Sequence, residues 1–303
     1  MSTREDRPER SGAVRITTRR NFLKLGATGL AGAALLGVAG CGGGQAGQGA
    51  SANCTPKYDV KTLESGVLRV GAIQYPPYST ISRGEVGGID GEIMTGFAKA
   101  ACLDLEAQET TFAAAVSSVT TRRNDIAMGD LYRTKERAQE VALTDPVYLD
   151  QLGIVSKAGL DSIEALEGKK IATVQGYYFV EAVQKTFGDN VRLFPDNVKM
   201  YQDLFAGRSE VGLDSFPAAV EYLKSRNKAG EFKVKVPPPD PRIPATGEQA
   251  AQSAYAYDRS LEGLDEALNA YIKDIRESGE LANILEKHGL PRSAADVGEA
   301  RLL

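Results

Sequence analysis

The chain has 303 residues, a formal charge of −4, three cysteines and one histidine. This length is enough for one large domain or two small ones. With a single histidine and no CxxC spacing, the sequence predicts no metal site, and it predicts no cofactor because it lacks a Gly-rich phosphate loop. An acidic chain of this kind is also a poor partner for nucleic acid.

The first forty residues predict an export signal rather than a part of the fold. Arg19 and Arg20 belong to a twin-arginine motif, and a Gly/Ala-rich apolar segment too short for a stable membrane span follows. Residues 38–41 fit a bacterial lipobox, in which Cys41 becomes the acylated N-terminus. Removal of residues 1–40 takes away seven Lys/Arg and three Asp/Glu, so the mature chain carries −8. We expect a protein anchored by lipid to the outer face of the cytoplasmic membrane, with residues 41–54 as a flexible tether.

Beyond residue 60, segments with strand and helix patterns alternate in two sets. The first set has predicted strands at 68–73, 106–112 and 125–128, with helices at 90–103 and 113–121. The second set has strands at 170–174, 191–194 and 210–213, with helices at 179–187, 198–206 and 218–224. Extended crossings are predicted at 148–155 and 251–257, and helices follow residue 261. This alternation predicts an α/β fold with parallel sheets and right-handed crossovers.

One polar stretch, at residues 129–137, follows the third strand and opens a helix. Thr134 occupies the position of an N-cap, and Arg137 lies three residues later, in the first turn. A guanidinium there opposes the positive end of the helix dipole, so an anion such as a ligand carboxylate would stabilise it. The alternative is a surface arginine paired with Glu136 or Glu140.

This stretch, together with Thr144-Asp145-Pro146-Val147-Tyr148, resembles the signature of the type 3 extracellular solute-binding proteins, the polar amino acid receptors of ABC importers. The resemblance extends over about residues 68–290. Other segments match in order and spacing: Tyr75-Pro76-Pro77-Tyr78, Gly88-Ile89-Asp90, Val174-Gln175-Gly176 and Ser278-Gly279-Glu280.

The resemblance implies a two-lobed, periplasmic-binding-protein-like α/β fold whose lobes are joined by two hinge crossings. Residues 55–148 and 253–290 would form lobe 1, and residues 149–252 lobe 2. Residues 291–303 would form a loose C-terminal tail. The implied protein is a monomer that closes its cleft on an amino acid and delivers it to an ABC permease in the membrane.

The resemblance also assigns two opposed charges to the cleft. Arg137 would hold the carboxylate of the ligand, and Asp214, which follows a predicted strand, would hold its α-amino group. The alternative for Asp214 is an N-cap of the next helix. No catalytic residue is expected.

Aromatic side chains would line the same cleft, with Phe112 stacking on the side chain of the ligand. They are Tyr75, Phe112, Tyr132, Tyr177 and Tyr178. Some of them could instead be core or hinge packing, above all the nearby Tyr78. The chain departs from the family at Asp130, Tyr132 and Tyr177, where small hydrogen-bonding residues are usual. An added acid among aromatic rings favours a cationic ligand, such as a basic amino acid.

Three further alternatives stay open from the sequence. Cys54 and Cys102 either form a disulfide or leave Cys102 as a buried thiol. Some proteins of this fold are dehydratases acting on cyclohexadienyl acids, for which Asp130 and Glu181 are the candidate acids. The third alternative is that the protein is a ligand-sensing receptor domain.

His288, near a predicted helix end, is interpreted as a surface group.

Overall fold

The computed structural model describes residues 54–246 and 250–303, so the predicted signal, Cys41 and most of the tether lie outside the described residues. The strands are β1 (Val67–Ile73), β2 (Thr80–Ser82), β3 (Glu85–Gly87), β4 (Asp104–Thr110), β5 (Ile126–Tyr132), β6 (Ala142–Leu143), β7 (Leu149–Asp150), β8 (Leu152–Ser156), β9 (Ile171–Val174), β10 (Val191–Phe194), β11 (Val211–Ser215), β12 (Lys233–Lys235) and β13 (Ala251–Tyr257). The helices are α1 (Gly88–Ala100), α2 (Phe112–Thr120), α3 (Lys135–Glu140), α4 (Val180–Phe187), α5 (Asn197–Phe205), α6 (Phe216–Ser225), α7 (Leu264–Glu277) and α8 (Glu280–Lys287).

The first sheet has the strand order β4-β1-β5-β13-β6, and β7 pairs with β13 at its edge. Strands β4, β1 and β5 are parallel, whereas β13 is antiparallel to β5. Every residue of β5 and of β13 is buried, as expected of strands covered on both faces. We call the elements around this sheet lobe 1.

The second sheet has the order β10-β9-β11-β8-β12. Strands β10, β9 and β11 are parallel, and β8 runs antiparallel to β11. Helices α5 and α6 pack against it. We call the elements around this sheet lobe 2, and the two sheets give the two-lobed α/β fold that the sequence predicted.

The two predicted crossings lie side by side. Strand β7 pairs antiparallel with β13, with Asp150 opposite Ala251 and Leu149 opposite Gln252. Strand β8 then enters the sheet of lobe 2, while β13 continues into the sheet of lobe 1. The chain therefore passes between the lobes twice at one place, which is the arrangement of a hinge. The residue limits given above for the lobes remain predictions.

A disulfide joins Cys54 to Cys102, whose Cα atoms are 5.9 Å apart. Cys102 follows α1 in a left-handed backbone conformation, with φ of 56°. The bond ties the first described residue to lobe 1 and closes a loop with a sequence separation of 48 residues.

The C-terminal tail is held in place, in contrast to the loose segment that the sequence predicted. The Gln252 amide donates to the carbonyl oxygens of Val297 and Glu299, at 2.8 and 2.7 Å, and its oxygen accepts from the Arg301 N–H at 2.9 Å. The Leu303 N–H donates to the carbonyl of Arg133 at 2.9 Å. Hydrogen bonds from one buried glutamine and one backbone pair to a distant segment leave no periodic pattern along the chain, so the sequence did not reveal them.

Within residues 54–246 and 250–303, no helix has the length and apolar character needed to cross a membrane.

Candidate functional site

The carboxyl ends of strands from both sheets point toward one region between the lobes. Strand β1 leads to Tyr75, β4 to Phe112, β5 to Tyr132, β9 to Tyr177, and β11 ends with Asp214 and Ser215. Open α/β sheets bind ligands at this edge, because the loops there converge. One detail differs from prediction: β4 ends at Thr110, and Phe112 is the first residue of α2 rather than the last residue of the strand.

Arg137 lies where the motif predicted, in the first turn of α3. The Thr134 hydroxyl oxygen accepts from the Arg137 N–H at 3.2 Å and caps the helix. The guanidinium donates from Nη1 to the carbonyl of Tyr132 in lobe 1 at 2.9 Å, and from Nη2 to the carbonyl of Gly176 in lobe 2 at 3.4 Å. Burial lowers the pKa of Arg137. Both hydrogen bonds go to neutral acceptors, and the guanidinium forms no ion pair within the described part of the chain. The alternative, a surface arginine paired with Glu136 or Glu140, is therefore not what the structure shows.

Asp214 is fully buried in lobe 2 and accepts four hydrogen bonds. Oδ1 accepts from the hydroxyls of Tyr75 at 2.5 Å and Tyr177 at 2.8 Å and from the Ser215 N–H at 2.9 Å, while Oδ2 accepts from the Tyr201 hydroxyl at 3.0 Å. Burial raises the pKa of Asp214 to about 6, although the hydrogen bonds oppose the rise.

The cap of the following helix is Ser215, not Asp214. The Ser215 hydroxyl accepts from the Ala218 N–H at 3.4 Å at the start of α6. Asp214 therefore does not cap α6. Its carboxylate instead accepts hydrogen bonds from tyrosines of both lobes.

The predicted aromatic residues do meet. Tyr75 and Phe112 of lobe 1 contact Tyr177 of lobe 2, with ring centroids 5.9 and 4.6 Å apart, and Tyr132 contacts Tyr178 at 4.6 Å. Tyr78, expected to be structural, is fully buried, stacks on Tyr148 and reaches the Ser215 hydroxyl at 2.8 Å.

These rings enclose a small cavity of about 20 Å³ between the lobes. It is lined by Tyr75, Phe112, Asp130, Tyr132, Arg137, Tyr177, Tyr178, Phe179 and Ser215. Seven of the eight predicted ligand-binding residues line it, and Asp214 lies directly behind Ser215. Whether they bind a ligand remains a prediction. The volume suffices for about one water molecule, so the lobes are closed on each other.

A larger cavity of about 510 Å³ is also lined by Arg137. Arg137, Tyr178 and Phe179 line both cavities, and Glu181, Lys185, Arg242 and Leu303 line only the larger one. Arg137 therefore borders both spaces.

Sequence reasoning missed a further buried acid, which is hydrogen-bonded to residues that line the cavity. Asp150, at the end of β7, is 2 % exposed and accepts from the hydroxyls of Tyr132 and of Ser215, the latter at 3.1 Å. Tyr201 and Phe179 were missed as well. The position of Asp150 on a crossing strand was the available signal, since a carboxylate in an otherwise apolar extended segment needs partners.

His288 and Glu181 do not contribute to the enclosed cavity. His288 caps α8, where its Nε2 lies 2.8 Å from Glu92. Glu181 is exposed in the first turn of α4, at the larger cavity. The two acids of the dehydratase alternative, Asp130 and Glu181, thus line different spaces.

Comparison with known families decides the class of this chain. The model of the bacterial extracellular solute-binding proteins, family 3, matches residues 68–291. The chain belongs to this family. The match covers both sheets, both crossings and every predicted site residue from Tyr75 to Asp214.

Individual relatives of this family 3 protein are distant but cover most of it. The L-cystine-binding protein TcyJ of Escherichia coli is 25% identical over 75% of this chain and 84% of its own length. The histidine-binding periplasmic protein of Escherichia coli is 26% identical over 73% and 86%. The crystal structure of ArtJ, an arginine-, lysine-, histidine-binding protein from Geobacillus stearothermophilus, shares the fold with a TM-score of 0.65, at 22% identity over 74% of this chain and 95% of ArtJ. All three are described as binding proteins.

Proposed function

We propose that this family 3 protein is the substrate-binding subunit of an ABC importer and captures an amino acid by closing its two lobes. One observation carries the proposal: Arg137 of lobe 1 lines the aromatic cavity, and the buried carboxylate of Asp214 in lobe 2 accepts from Tyr75 and Tyr177, two rings that line the same cavity. A zwitterion needs a cation for its carboxylate and an anion for its ammonium group, and closure brings the two together. The named relatives, which are described as binding cystine, histidine and arginine, support the substrate class.

The contacts between the lobes suggest how a ligand enters. Tyr75 of lobe 1 donates to Asp214 of lobe 2, and Tyr132 donates to Asp150 at the hinge. An amino acid is far larger than a cavity of about 20 Å³, so these side chains must move apart before it binds. The ammonium group would then replace the Tyr75 hydroxyl on Asp214.

We predict that Tyr75→Phe opens the protein when no ligand is added. The substitution removes a hydrogen bond to a buried carboxylate that joins the lobes, a contact of about 1.5–3 kcal/mol. Small-angle X-ray scattering should give a larger radius of gyration for the variant than for the wild type. A saturating amino acid ligand should bring both to the same value.

Tyr201→Phe is the matched control for this change. It removes a donor from the same carboxylate, but Tyr201 lies on α5 within lobe 2. Its radius of gyration should equal that of the wild type. Equal values for wild type and Tyr75→Phe would mean that the Tyr75 contact does not hold the lobes together.

The N-terminal sequence supports export of this receptor and its attachment to the cytoplasmic membrane. We propose that residues 1–40 are removed and that Cys41 carries the lipid, so that the folded part is tethered outside the cytoplasmic membrane beside its permease. The permease would recognise the closed lobes of a monomer. The disulfide between Cys54 and Cys102 is consistent with export, because such bonds persist in oxidising compartments.

The test of the proposed function is a thermal melting screen of the purified protein against amino acids, betaines and polyamines. A ligand that binds only the folded state raises the melting temperature, by an amount that grows with concentration over Kd. We expect at least one amino acid to do so and to be recovered unchanged. Turnover of prephenate or arogenate would instead show an enzyme.

A further inference from the structure

Among the described residues that line the cavity, two buried oxygen atoms have no hydrogen-bond partner, Oδ1 of Asp130 and the hydroxyl of Tyr178. Asp130 is 5 % exposed and lines the enclosed cavity, yet its Oδ1 atom is buried without a hydrogen bond. A buried acceptor left unpaired costs about 1–3 kcal/mol, so proteins rarely keep one where it serves nothing. Asp130 therefore offers an unpaired acceptor beside the space in which a ligand would bind.

The backbone of β5 turns sharply where it places Asp130 at the cavity wall. Gly129 and Asp130 both have positive φ, of 127° and 57°. The pairing of β13 with β5 shifts register between Ala254 and Ala256, opposite this point, as in a β-bulge. A Cβ atom on Gly129 would lie 2.7 Å from the Ile73 side chain, so the turn needs glycine there. The Asp130 N–H donates to Asp90 Oδ2 at 3.1 Å and fixes the turn.

The Asp130 carboxyl group also lies within hydrogen-bonding reach of the Asp150 carboxyl group. Burial, and then the negative charge of Asp150, raise the pKa of Asp130 well above its ordinary value. Burial raises the pKa of Asp150 as well, although its hydrogen bonds from Tyr132 and Ser215 oppose the rise. Because two neighbouring buried carboxylates repel each other, we expect the pair to share one proton.

Few charges face this pair from the surrounding elements. Asp90 of α1 is a further acid, and Arg137 of α3 is the cation, whose hydrogen bonds go to carbonyl oxygens. The other titratable groups are phenols, those of Tyr75, Tyr78, Tyr132, Tyr148 and Tyr178. Within residues 54–246 and 250–303, Arg137 is thus the cation near the Asp130–Asp150 pair.

We propose that Asp130 and Asp150 form a second cation site, which takes the side-chain ammonium or guanidinium group of a basic amino acid in exchange for the shared proton. The inference rests on the proposed function, in which Arg137 and Asp214 hold the backbone groups of the same ligand. The exchange balances charge, since one proton leaves to solvent as one positive group enters. Oδ1 of Asp130 then gains the partner it lacks.

Isothermal titration calorimetry of the full chain at pH 7, in three buffers of different ionisation enthalpy, tests the inference. The slope of the observed enthalpy against buffer enthalpy counts the protons released. We compare L-arginine with L-citrulline, which has nearly the same shape without the charge. Arginine should bind at least about 30-fold more tightly and release about one proton, and citrulline should release none.

Two variants assign the effect to the pair. Asp130→Asn should lose both the preference for arginine over citrulline and the proton release. Glu181→Gln removes an exposed carboxylate from the larger cavity and should keep both. Proton release that persists in Asp130→Asn would overturn the assignment.

The possible failures separate the second cation site from the proposed function. Equal affinities for arginine and citrulline, arginine binding without proton release, or preferred binding of glutamate or aspartate would overturn the second cation site while amino acid capture stands. Absence of binding by all amino acids would instead remove the proposed function.

Discussion

Replacement of Arg137 by alanine is expected to weaken amino acid binding by about 2–5 kcal/mol, or roughly 30-fold to several thousand-fold in Kd. The reason is geometric. Arg137 borders both cavities, and its guanidinium donates to the carbonyl oxygens of Tyr132 and Gly176, one from each lobe. Without it, closure would bury a ligand carboxylate that has no counter-charge. Calorimetry of wild type and variant with the best ligand of the melting screen gives the difference.

Two comparisons show whether the loss concerns the ligand carboxylate. Arg123→Ala removes an exposed arginine of lobe 1 and should leave Kd unchanged. The amide of the same amino acid, which lacks the carboxylate charge, should bind the wild type weakly. Its affinity for Arg137→Ala should be only slightly lower than its affinity for the wild type. A variant that loses as much affinity for the amide as for the acid would show that Arg137 acts on folding or closure instead.

Asp214→Asn is expected to abolish measurable binding while the protein stays folded. Asp214 is fully buried behind the cavity, and a ligand ammonium group needs its ionised form. Because the pKa of Asp214 is raised to about 6, ligand affinity of the wild type should fall as pH drops below that value. The affinity of Asp214→Asn should be negligible at every pH. Calorimetry between pH 5 and 8, as a rough working range around that value, checks both statements.

The same group gives a stability test of known sign. The folded pKa of Asp214 lies above the ordinary value of 3.8, so the folded state binds the proton more tightly than the unfolded state does. Its contribution to the free energy of unfolding therefore falls as pH rises from about 4 to about 6, by about 3 kcal/mol in total. Asp214→Asn should remove that fall, and denaturant unfolding at pH 4 and pH 7 measures it.

The comparison isolates one carboxyl group although others titrate nearby. Burial also raises the pKa of Asp90 to about 6, but Asp90 is present in both proteins and its contribution cancels in the difference. Asp189→Asn, an exposed change in lobe 2, should leave both the affinity and the pH dependence as they are. Parallel pH dependence of wild type and Asp214→Asn would contradict the buried, titrating Asp214 described here.

The sequence by itself determined the elements and the places where the chain turns toward the cleft. Alternating apolar patterns predicted the strands β1, β9 and β11 nearly to the residue, because such patterns depend only on neighbours along the chain. The capping of α3 by Thr134, and with it the position of Arg137, is local in the same way. Resemblance to a family then predicted two lobes and named the opposed charges.

The tertiary structure alone decided which groups touch. Asp214 collects hydroxyls from Tyr75, Tyr177 and Tyr201, which come from both lobes, and no spacing along the chain encodes that meeting. The pairing of Asp130 with Asp150 likewise depends on how the hinge strand β7 lies beside the bulge in β5. Periodicity tells which face of an element is buried, whereas the partners of a buried polar group are set by packing between elements distant in sequence. For that reason the contacts of Asp150, and the attachment of the C-terminal tail to Gln252, could be identified only from the tertiary structure.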